Sequence, residues 1–304
     1  MSRRARLFAA VASLAAGCVP GIGTAAASDN APDPTPRPNL PGAAPRAMPP
    51  RAADFAITGQ MQQGGWIRGK APTGTISLTL DAKPLTFAPD GSFFAAFDRD
   101  AGSRALLVAR RADGSATTRE LAVLPRGWKI ERIGVARRAG GPTEAFMALR
   151  KPELARINAA RAIDSGSTGW RQAFLWPVRG RISGMFGSQR IYLGEPGAYH
   201  SGIDIATGTS GTPFAAPADG VIILAAKIPF TLEGHLLMID HGMGLNSAFL
   251  HCSQLLVDEG DHVRQGQLIG RIGATGRATG PHLHWSMKWH DARIDPILLT
   301  GPMT

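Results

Sequence analysis

The sequence predicts a mostly β protein: a small N-terminal β-sandwich-like domain, one connecting helix and a C-terminal all-β domain. Glycine (37) and proline (23) are frequent among the 304 residues, which favours short strands and many turns. Ile76, Leu78 and Leu80 alternate with polar residues, the period of a half-buried strand. Asp90-Gly91 lies between apolar runs and is typical of a turn. Only one segment, around residue 152, has the pattern of a helix.

Residues 1–27 are predicted to form a secretory signal peptide. Residues 2–6 are basic, residues 7–16 are apolar, and residues 25–27 offer a small-residue cleavage site. The apolar stretch is too short to span a bilayer, and no later segment approaches the necessary length. We therefore expect an exported protein without a membrane span.

Two features leave other export routes open. Residues 14–18 resemble a lipoprotein signal, although the leucine is one position too far from Cys18. Arg3-Arg4 resembles a twin-arginine signal, although Arg6 interrupts the apolar residues that should follow. Lipid anchoring at Cys18 is the less favoured alternative to a free exported protein.

The charge of the chain favours an anionic partner. Removal of the signal peptide removes three arginines and no acidic residue, which lowers the net charge from +10 to +7. A cation of this size suits an anionic polymer such as a cell wall. The arginines are scattered and no aromatic-basic platform is present, so nucleic acid is not the expected partner. Cys252 would be the only cysteine of the mature chain, which excludes an internal disulfide. The sequence does not indicate an oligomeric state.

Composition and pattern divide the chain into five predicted parts. A run of prolines typical of extended spacers follows the signal peptide, and Pro152 is expected in the first turn of the single helix. The parts are a signal peptide (1–27), a Pro-rich linker (28–53), a β-rich accessory domain (54–150), a helical connector (151–169) and a C-terminal domain (170–304).

The C-terminal domain holds all eight histidines of the chain. Catalytic zinc takes three nitrogen or oxygen ligands and leaves one position open, and three patterns offer such donors. His200 and Asp204 are four residues apart, and His282 and His284 share one face of a predicted strand. His251 lies in another predicted strand. Spacing alone permits a metal site but does not establish one. The predicted strands are 220–226, 235–240, 246–251, 267–272 and 282–288.

The sequence motifs around these histidines resemble those of the lysostaphin/LytM-type zinc endopeptidases, which cut peptide bonds of peptidoglycan. The similarity runs in colinear order over about 110 residues and covers only the C-terminal domain strongly. The motifs that carry it are GMFG at 184–187, YHSGIDIA at 199–206, GTP at 211–213, APADGV at 216–221, IDHG at 239–242, GDHV at 260–263, GQLIG at 266–270 and TGRATGPHLH at 275–284.

The resemblance implies a fold, a metal and a set of roles. The C-terminal domain should be an all-β peptidase domain with an open groove, and one Zn²⁺ per chain should be held by His200, Asp204 and His284. His251 and His282 match the catalytic histidines, and the implied mechanism is attack by metal-bound water on the peptide bond. The expected partners are peptidoglycan peptides in a Gram-negative periplasm, with D-Ala–meso-diaminopimelate as the preferred bond.

Some family members have lost ligands and instead activate cell-wall amidases, so a non-enzymatic regulator is the alternative function, and a plain wall-binding module is a third. Here all five positions are filled. Phe249 stands where the family usually has Tyr, so loss of the hydroxyl is expected to alter substrate contacts. Cys252 replaces the usual Leu and is expected to be a small buried thiol. The remaining histidines are expected in turns or at the surface: His235, His241, His262 and His290.

Overall fold

The computed structural model describes residues 54–136 and 142–303. The predicted signal peptide and Pro-rich linker lie outside these residues. The N-terminal strands are β1 (Ala56–Gln60), β2 (Trp66–Lys70), β3 (Thr75–Leu80), β4 (Lys83–Pro84), β5 (Ser92–Ala96), β6 (Arg104–Arg111), β7 (Ala116–Ala122) and β8 (Ile130–Ile133).

Helix α1 (Glu144–Arg161) and a 3₁₀ turn (Gly169–Arg171) lead into the C-terminal region. Its elements are β9 (Arg181–Gly184), β10 (Gln189–Tyr192), β11 (Glu195–Pro196), β12 (Ile203–Ala206), β13 (Pro213–Ala215), β14 (Gly220–Ala225), β15 (His235–Asp240), β16 (Leu245–Cys252), β17 (Gln254–Leu255), β18 (His262–Val263), β19 (Leu268–Arg271), β20 (Leu283–Trp289), β21 (Ala292–Ile294) and the short helix α2 (Ile297–Thr300).

The mostly β fold class is confirmed. The five strands predicted in the C-terminal region are all present, each within one residue of its predicted ends. The sequence located them because each is a short run rich in apolar residues and bounded by turn residues. β14, β15 and β16 are buried almost throughout, whereas β20 alternates between buried and half-buried residues. No helix of the described residues is both long and apolar enough to cross a membrane.

Two sheets enclose an apolar cluster in the N-terminal region, as expected for a small sandwich. One sheet has the order β1-β2-β5 and the other β4-β3-β6-β7. Ile67 and Phe93 of the first sheet share a buried cluster with Leu78 and Leu107 of the second. Ile76, by contrast, is 64% exposed, because a bulge between Thr75 and Ser77 shifts the register there.

A long antiparallel sheet carries the C-terminal region. Its strand order is β18-β14-β15-β16-β20-β12-β9, with β21 paired to β20. Its core contains Trp285, Phe249 and Phe214, and also Phe94 and Ala96 from β5 of the N-terminal region. The two predicted β regions therefore share part of one core. The predicted domain boundaries themselves stay a prediction.

The helix starts earlier than predicted. It begins at Glu144 rather than at Lys151, and Thr143 caps it by accepting a hydrogen bond from the Phe146 N–H. Pro152, which was expected in the first turn, lies inside the helix, where a missing N–H removes one backbone hydrogen bond. A proline alone was thus a poor guide to the helix start, because contacts with the sheet hold the helix on both sides of it.

Candidate metal centre

Asp204 and His284 meet because their strands are paired. β12 and β20 run antiparallel, and the register places Asp204 directly opposite His284. Residues directly opposite one another project from the same face of a sheet. As a result, His284 Nδ1 lies 2.9 Å from Asp204 Oδ1. The proximity of two of the three predicted ligands therefore follows from sheet register.

His200 joins this pair from the loop that precedes β12. Its Nε2 lies 3.1 Å from Asp204 Oδ1 and 3.0 Å from His284 Nδ1. Its Nδ1 lies 3.1 Å from the Met185 carbonyl oxygen. Because a carbonyl only accepts, Nδ1 carries the proton and Nε2 presents its lone pair to the cluster.

The three donor atoms fit a bound cation. His200, Asp204 and His284 form the only group of metal-ligating type found among residues 54–136 and 142–303. A lone pair on nitrogen and a carboxylate oxygen repel each other at about 3 Å unless a proton or a cation lies between them. Two imidazoles and one carboxylate are also a donor set of catalytic zinc. The arrangement is thus suited to one zinc ion.

The electrostatics of the cluster favour an ionised Asp204 and a neutral His284, the protonation states in which these side chains bind metal. Burial would raise the pKa of Asp204, but hydrogen bonds and charge from His200 and His284 hold that pKa well below its usual range. Burial lowers the pKa of His284 and outweighs the attraction of Asp204. Burial also acts downward on His200, but Asp204 raises the pKa of His200 overall. A proton on His200 therefore competes with a metal.

Gly184 makes room for the cluster. It is the last residue of β9 and pairs with Asp204. A Cβ atom at position 184 would lie 2.2 Å from Asp204 Oδ2 and 3.0 Å from His200 Cε1. No side chain can occupy this position without displacing a predicted ligand.

His251 reaches the site because the backbone turns at this residue. The register pairs Leu250 with His284, so regular alternation would direct His251 to the opposite face. His251 instead has a φ of 66°, in the left-handed region that bulky residues rarely adopt. Its ring centroid lies 6.2 Å from that of His284 and 5.0 Å from that of His282.

Backbone carbonyls orient both predicted catalytic histidines. His251 Nδ1 lies 2.8 Å from the Thr275 carbonyl oxygen, and His282 Nδ1 lies 2.8 Å from that of Gly280. Each Nδ1 therefore carries a proton and each Nε2 is left as an acceptor. His282 Nε2 lies 3.7 Å from Asp204 Oδ1. Burial lowers the pKa of His251, which favours its neutral form.

The structure thus brings all five predicted site residues together, while the division into ligands and catalytic groups stays a prediction. Comparison with known protein families tests the family resemblance. A model of the family described as Peptidase family M23 matches residues 198–296. The chain contains a peptidase M23 domain. This match confirms the family resemblance inferred from the motifs.

Curated relatives and a solved structure are similar to this chain. Peptidoglycan DD-endopeptidase ShyA from Vibrio cholerae is 37% identical over 144 residues, which cover 46% of this chain and 33% of ShyA. DD-carboxypeptidase/endopeptidase Mpg from Neisseria meningitidis is 37% identical over 122 residues, which cover 40% of this chain and 27% of Mpg. The chain thus matches about a third or less of the length of these relatives.

A crystal structure described as a peptidase M23 from Pseudomonas aeruginosa is also similar. It has a TM-score of 0.60 and 26% identity, and the alignment covers 80% of this chain and 96% of that one. The structural likeness therefore extends well beyond the 99 residues of the M23 match.

A groove of about 860 Å³ opens beside the three candidate metal ligands of the M23 domain. His200 and Asp204 line it, together with residues from β9, β10 and the segment before His200. Lys129 and Glu131 also line it, although they precede α1 and lie in the predicted accessory domain. They reach the groove because β8 pairs in parallel with β10, from Gln189 opposite Ile130 to Tyr192 opposite Ile133.

Sequence reasoning missed these two groove residues and the carbonyls that orient the histidines. No motif marks Lys129 or Glu131, since a parallel pairing across about 60 residues leaves no local pattern. The carbonyls of Met185 and Thr275 belong to the backbone and carry no residue-type signal. The one available hint was that both lie in or beside motifs that carry the family resemblance.

His241 occupies the turn after β15, as predicted. The sequence did not indicate that this histidine is fully buried there. Its Nδ1 donates to the Asp219 carbonyl at 2.8 Å, and its Nε2 accepts from the Ser247 hydroxyl at 2.8 Å. Burial lowers the pKa of His241 to about 4. Because His241 is buried, both of its ring nitrogens form hydrogen bonds within the protein.

The other histidines lie outside the metal cluster. His262 and His290 are exposed, as expected, and His235 is half-buried with its Nδ1 2.9 Å from the Ala226 carbonyl oxygen. Cys252 is fully buried, so the expected small buried thiol is confirmed, and burial raises the pKa of this thiol to about 12. The ring of Phe249 is fully buried against Phe214 and Trp285 in the core. The expected effect of the missing hydroxyl on substrate contacts stays a prediction.

Proposed function

We propose that this chain is a zinc-dependent endopeptidase that hydrolyses peptide cross-links of peptidoglycan, with D-Ala–meso-diaminopimelate as the preferred bond. The observation that carries the proposal is the convergence of His200, Asp204 and His284 with His251 and His282 beside an open groove. The names of ShyA and Mpg, both endopeptidases and one of them explicitly of peptidoglycan, support the substrate class.

The first three residues are proposed to hold one Zn²⁺ per chain. When bound, zinc would lower the pKa of a coordinated water and polarise the carbonyl of the scissile bond. The protein contributes preorganisation: Asp204 and His284 are fixed by strand pairing, and His200 is fixed by its hydrogen bond to Met185. Such support keeps the ligand atoms in place without the metal.

His251 and His282 are proposed to handle protons. Each ring is held by a carbonyl at Nδ1, so its Nε2 has a defined direction. A neutral Nε2 can accept a proton as the nucleophile forms and, once protonated, can donate it to the leaving amine. The depressed pKa of His251 keeps this residue neutral and available as a base near pH 7.

The charge of the groove suits peptidoglycan peptides, which carry free carboxylates. Lys129, Arg190 and Arg277 line the groove, and the acidic residues there are Glu131 and the proposed ligand Asp204. Glu131 accepts a hydrogen bond from Arg190 at 3.0 Å, which neutralises part of that charge. A net positive rim attracts anionic ligands. We also propose that the protein acts in the periplasm, in agreement with the predicted signal peptide.

Digestion of isolated peptidoglycan tests this function. The mature chain, loaded with zinc, should convert cross-linked muropeptide dimers to monomers, as resolved by chromatography and mass spectrometry. His284→Ala should abolish the conversion, because it removes a proposed ligand. His262→Ala is the matched control, since His262 is exposed and lies outside the cluster.

Full activity of His284→Ala, or no conversion of dimers by the zinc-loaded wild type, would contradict the proposal. An inactive, zinc-free wild type that stimulates a cell-wall amidase would instead support the non-enzymatic regulator.

A further inference from the structure

A buried arginine of the N-terminal region holds the segment that leads to His200. Arg99 follows β5 and is 5% exposed. Its Nε and Nη2 donate to the Gly187 carbonyl at 3.2 and 3.1 Å, and Nη2 also donates to Gln189 Oε1 at 2.9 Å. One guanidinium thus fixes a backbone carbonyl and a side chain in the segment between β9 and His200.

Two aromatic rings enclose this guanidinium. The Arg99 Cζ lies 5.2 Å from the ring centroid of Trp128 and 4.6 Å from that of Tyr199, the residue before His200. Trp128 also covers Gly187 so closely that a Cβ atom there would lie 2.1 Å from the indole ring. Arg99 and Trp128 therefore form a clamp on the segment around Gly187, and we call these two residues the Arg99 clamp.

Backbone hydrogen bonds connect the clamped segment to His200. The Gly187 N–H donates to the His200 carbonyl at 2.8 Å, and the His200 N–H donates to the Ser188 carbonyl at 2.8 Å. The His200 ring is in turn held by the Met185 carbonyl, two residues before Gly187. A displacement of Gly187 would thus move both the backbone and the ring of His200.

We propose that Arg99 is a positioning residue of the metal centre, which makes the N-terminal β region a working part of the zinc site. This inference rests on the zinc centre of the proposed function. The clamp fixes Gly187, Gly187 fixes His200, and His200 is thereby held against Asp204 and His284. Groups that orient a metal ligand typically contribute about 10- to 100-fold to metal affinity.

The planar shape of the guanidinium is essential to this role. Its fork donates two hydrogen bonds to one carbonyl while its carbon lies over two aromatic rings, and a lysine ammonium can do neither in the same way. Arg99→Lys keeps the charge and loses the fork, whereas Arg99→Met keeps much of the volume and loses every donor. The two substitutions separate charge from geometry.

Zinc affinity of the purified mature chain tests the proposal, measured by competition with a chromophoric chelator. We expect Arg99→Met to bind zinc about 10-fold more weakly than wild type and Arg99→Lys to show an intermediate loss. The visible spectrum of the Co²⁺-substituted protein should change in both variants, because the ligand geometry changes. Arg104→Met is the matched control: Arg104 belongs to the same region, forms an exposed pair with Glu120 and should leave affinity and spectrum unchanged.

Gln189→Met provides an independent test if Arg99→Met does not fold. It removes one acceptor of Arg99 from a half-buried position, and we expect a smaller loss of zinc affinity in the same direction. Wild-type zinc affinity and an unchanged Co²⁺ spectrum in folded Arg99→Met, or in Gln189→Met when the former is unfolded, would overturn this inference while leaving the proposed function intact. A wild-type chain that binds no zinc would overturn both.

Discussion

Gly184 shows how one missing side chain permits the metal cluster. A Cβ atom at this position would lie only 2.2 Å from Asp204 Oδ2, which is too close for any side chain. The constraint is steric and concerns the site rather than the core, because the neighbours of Gly184 are the predicted ligands themselves.

We expect Gly184→Ala to weaken zinc binding by at least about 10-fold, since the new methyl group must displace the Asp204 carboxylate. Chelator competition measures the affinity, and thermal unfolding of the metal-free protein measures any general damage. Gly134→Ala is the matched control, because a Cβ atom at position 134 meets nothing within 4 Å. Equal zinc affinity of Gly184→Ala and wild type would contradict the assignment of Asp204.

Burial of His241 makes the stability of the fold depend on pH. Its pKa is about 4 in the folded protein and near 6.5 in an unfolded chain. Between these values the unfolded chain binds a proton that the folded protein does not, so stability falls as the pH drops from about 6.5 towards 4. The stabilisation is fully present above that window and amounts to about 3 kcal/mol.

His241→Gln should flatten this part of the pH profile. A glutamine can donate to the Asp219 carbonyl and accept from Ser247, but it does not titrate between pH 4 and 7. Unfolding free energies of both proteins, measured from pH 7.5 to 4.5 in the presence of a chelator, give the difference. Parallel profiles for the two proteins would show that His241 does not remain neutral on folding.

At the level of single residues, motifs were sufficient to predict the five site positions but not their surroundings. His251 was placed in a strand, yet its left-handed backbone depends on the register with β20, which leaves no local signal. His241 was correctly expected in a turn, but a turn sequence does not reveal that the turn is covered. Loss of the hydroxyl at Phe249 was expected to alter substrate contacts, and the sequence did not show that this ring lies in the core.

Among the elements, helix α1 contacts the segment that holds His251 through its residue Arg150. Arg150, which is 8% exposed, donates to both carboxylate oxygens of Glu233 at 2.6 and 2.7 Å. The Glu233 carbonyl accepts a hydrogen bond from the His251 N–H at 2.8 Å. Ile157 of the same helix packs beside Leu236 and Met238 of β15. The helix is therefore connected to a predicted catalytic histidine through one residue.

Arg150→Met should destabilise the protein by about 3 kcal/mol, because it leaves Glu233 buried without its partner. We also expect lower turnover of muropeptide dimers at saturating substrate, since His251 loses part of its support. Denaturant unfolding and steady-state kinetics measure the two effects. Arg156→Met is the control on the same helix: its pair with Glu259 is half-exposed, so a comparable loss of stability there would argue against a special role for Arg150.

Predictability differed among the elements for a physical reason. Strands 235–240 and 246–251 were located well, because short apolar runs and the Asp240-His241-Gly242 turn between them are local signals. The start of α1 was misplaced, because Pro152 is accommodated inside a helix that tertiary contacts hold on both sides of it. Arg150 pairs with Glu233, and Glu153 accepts hydrogen bonds from Thr231. The pairing of β8 with β10 was not predicted at all, since it depends on contacts distant in sequence.

For the whole molecule, the groove and the core both combine the two β regions. Lys129 and Glu131 supply part of the groove, and Phe94 and Ala96 supply part of the C-terminal core. Composition indicated two β-rich regions but could not show that they pack together, because packing between surfaces has no periodic signature. Residues 54–136 and 142–303 thus contribute from both β regions to one groove and one core beside the proposed metal centre.

Stepwise zinc titration of the metal-free mature chain tests that centre most directly, with cleavage of a purified cross-linked muropeptide dimer recorded at each step. We expect that activity is absent without metal, rises in proportion to added zinc and stops rising at one zinc per chain. Cleavage of the dimer by the metal-free chain, or no cleavage at any zinc concentration, would contradict this expectation.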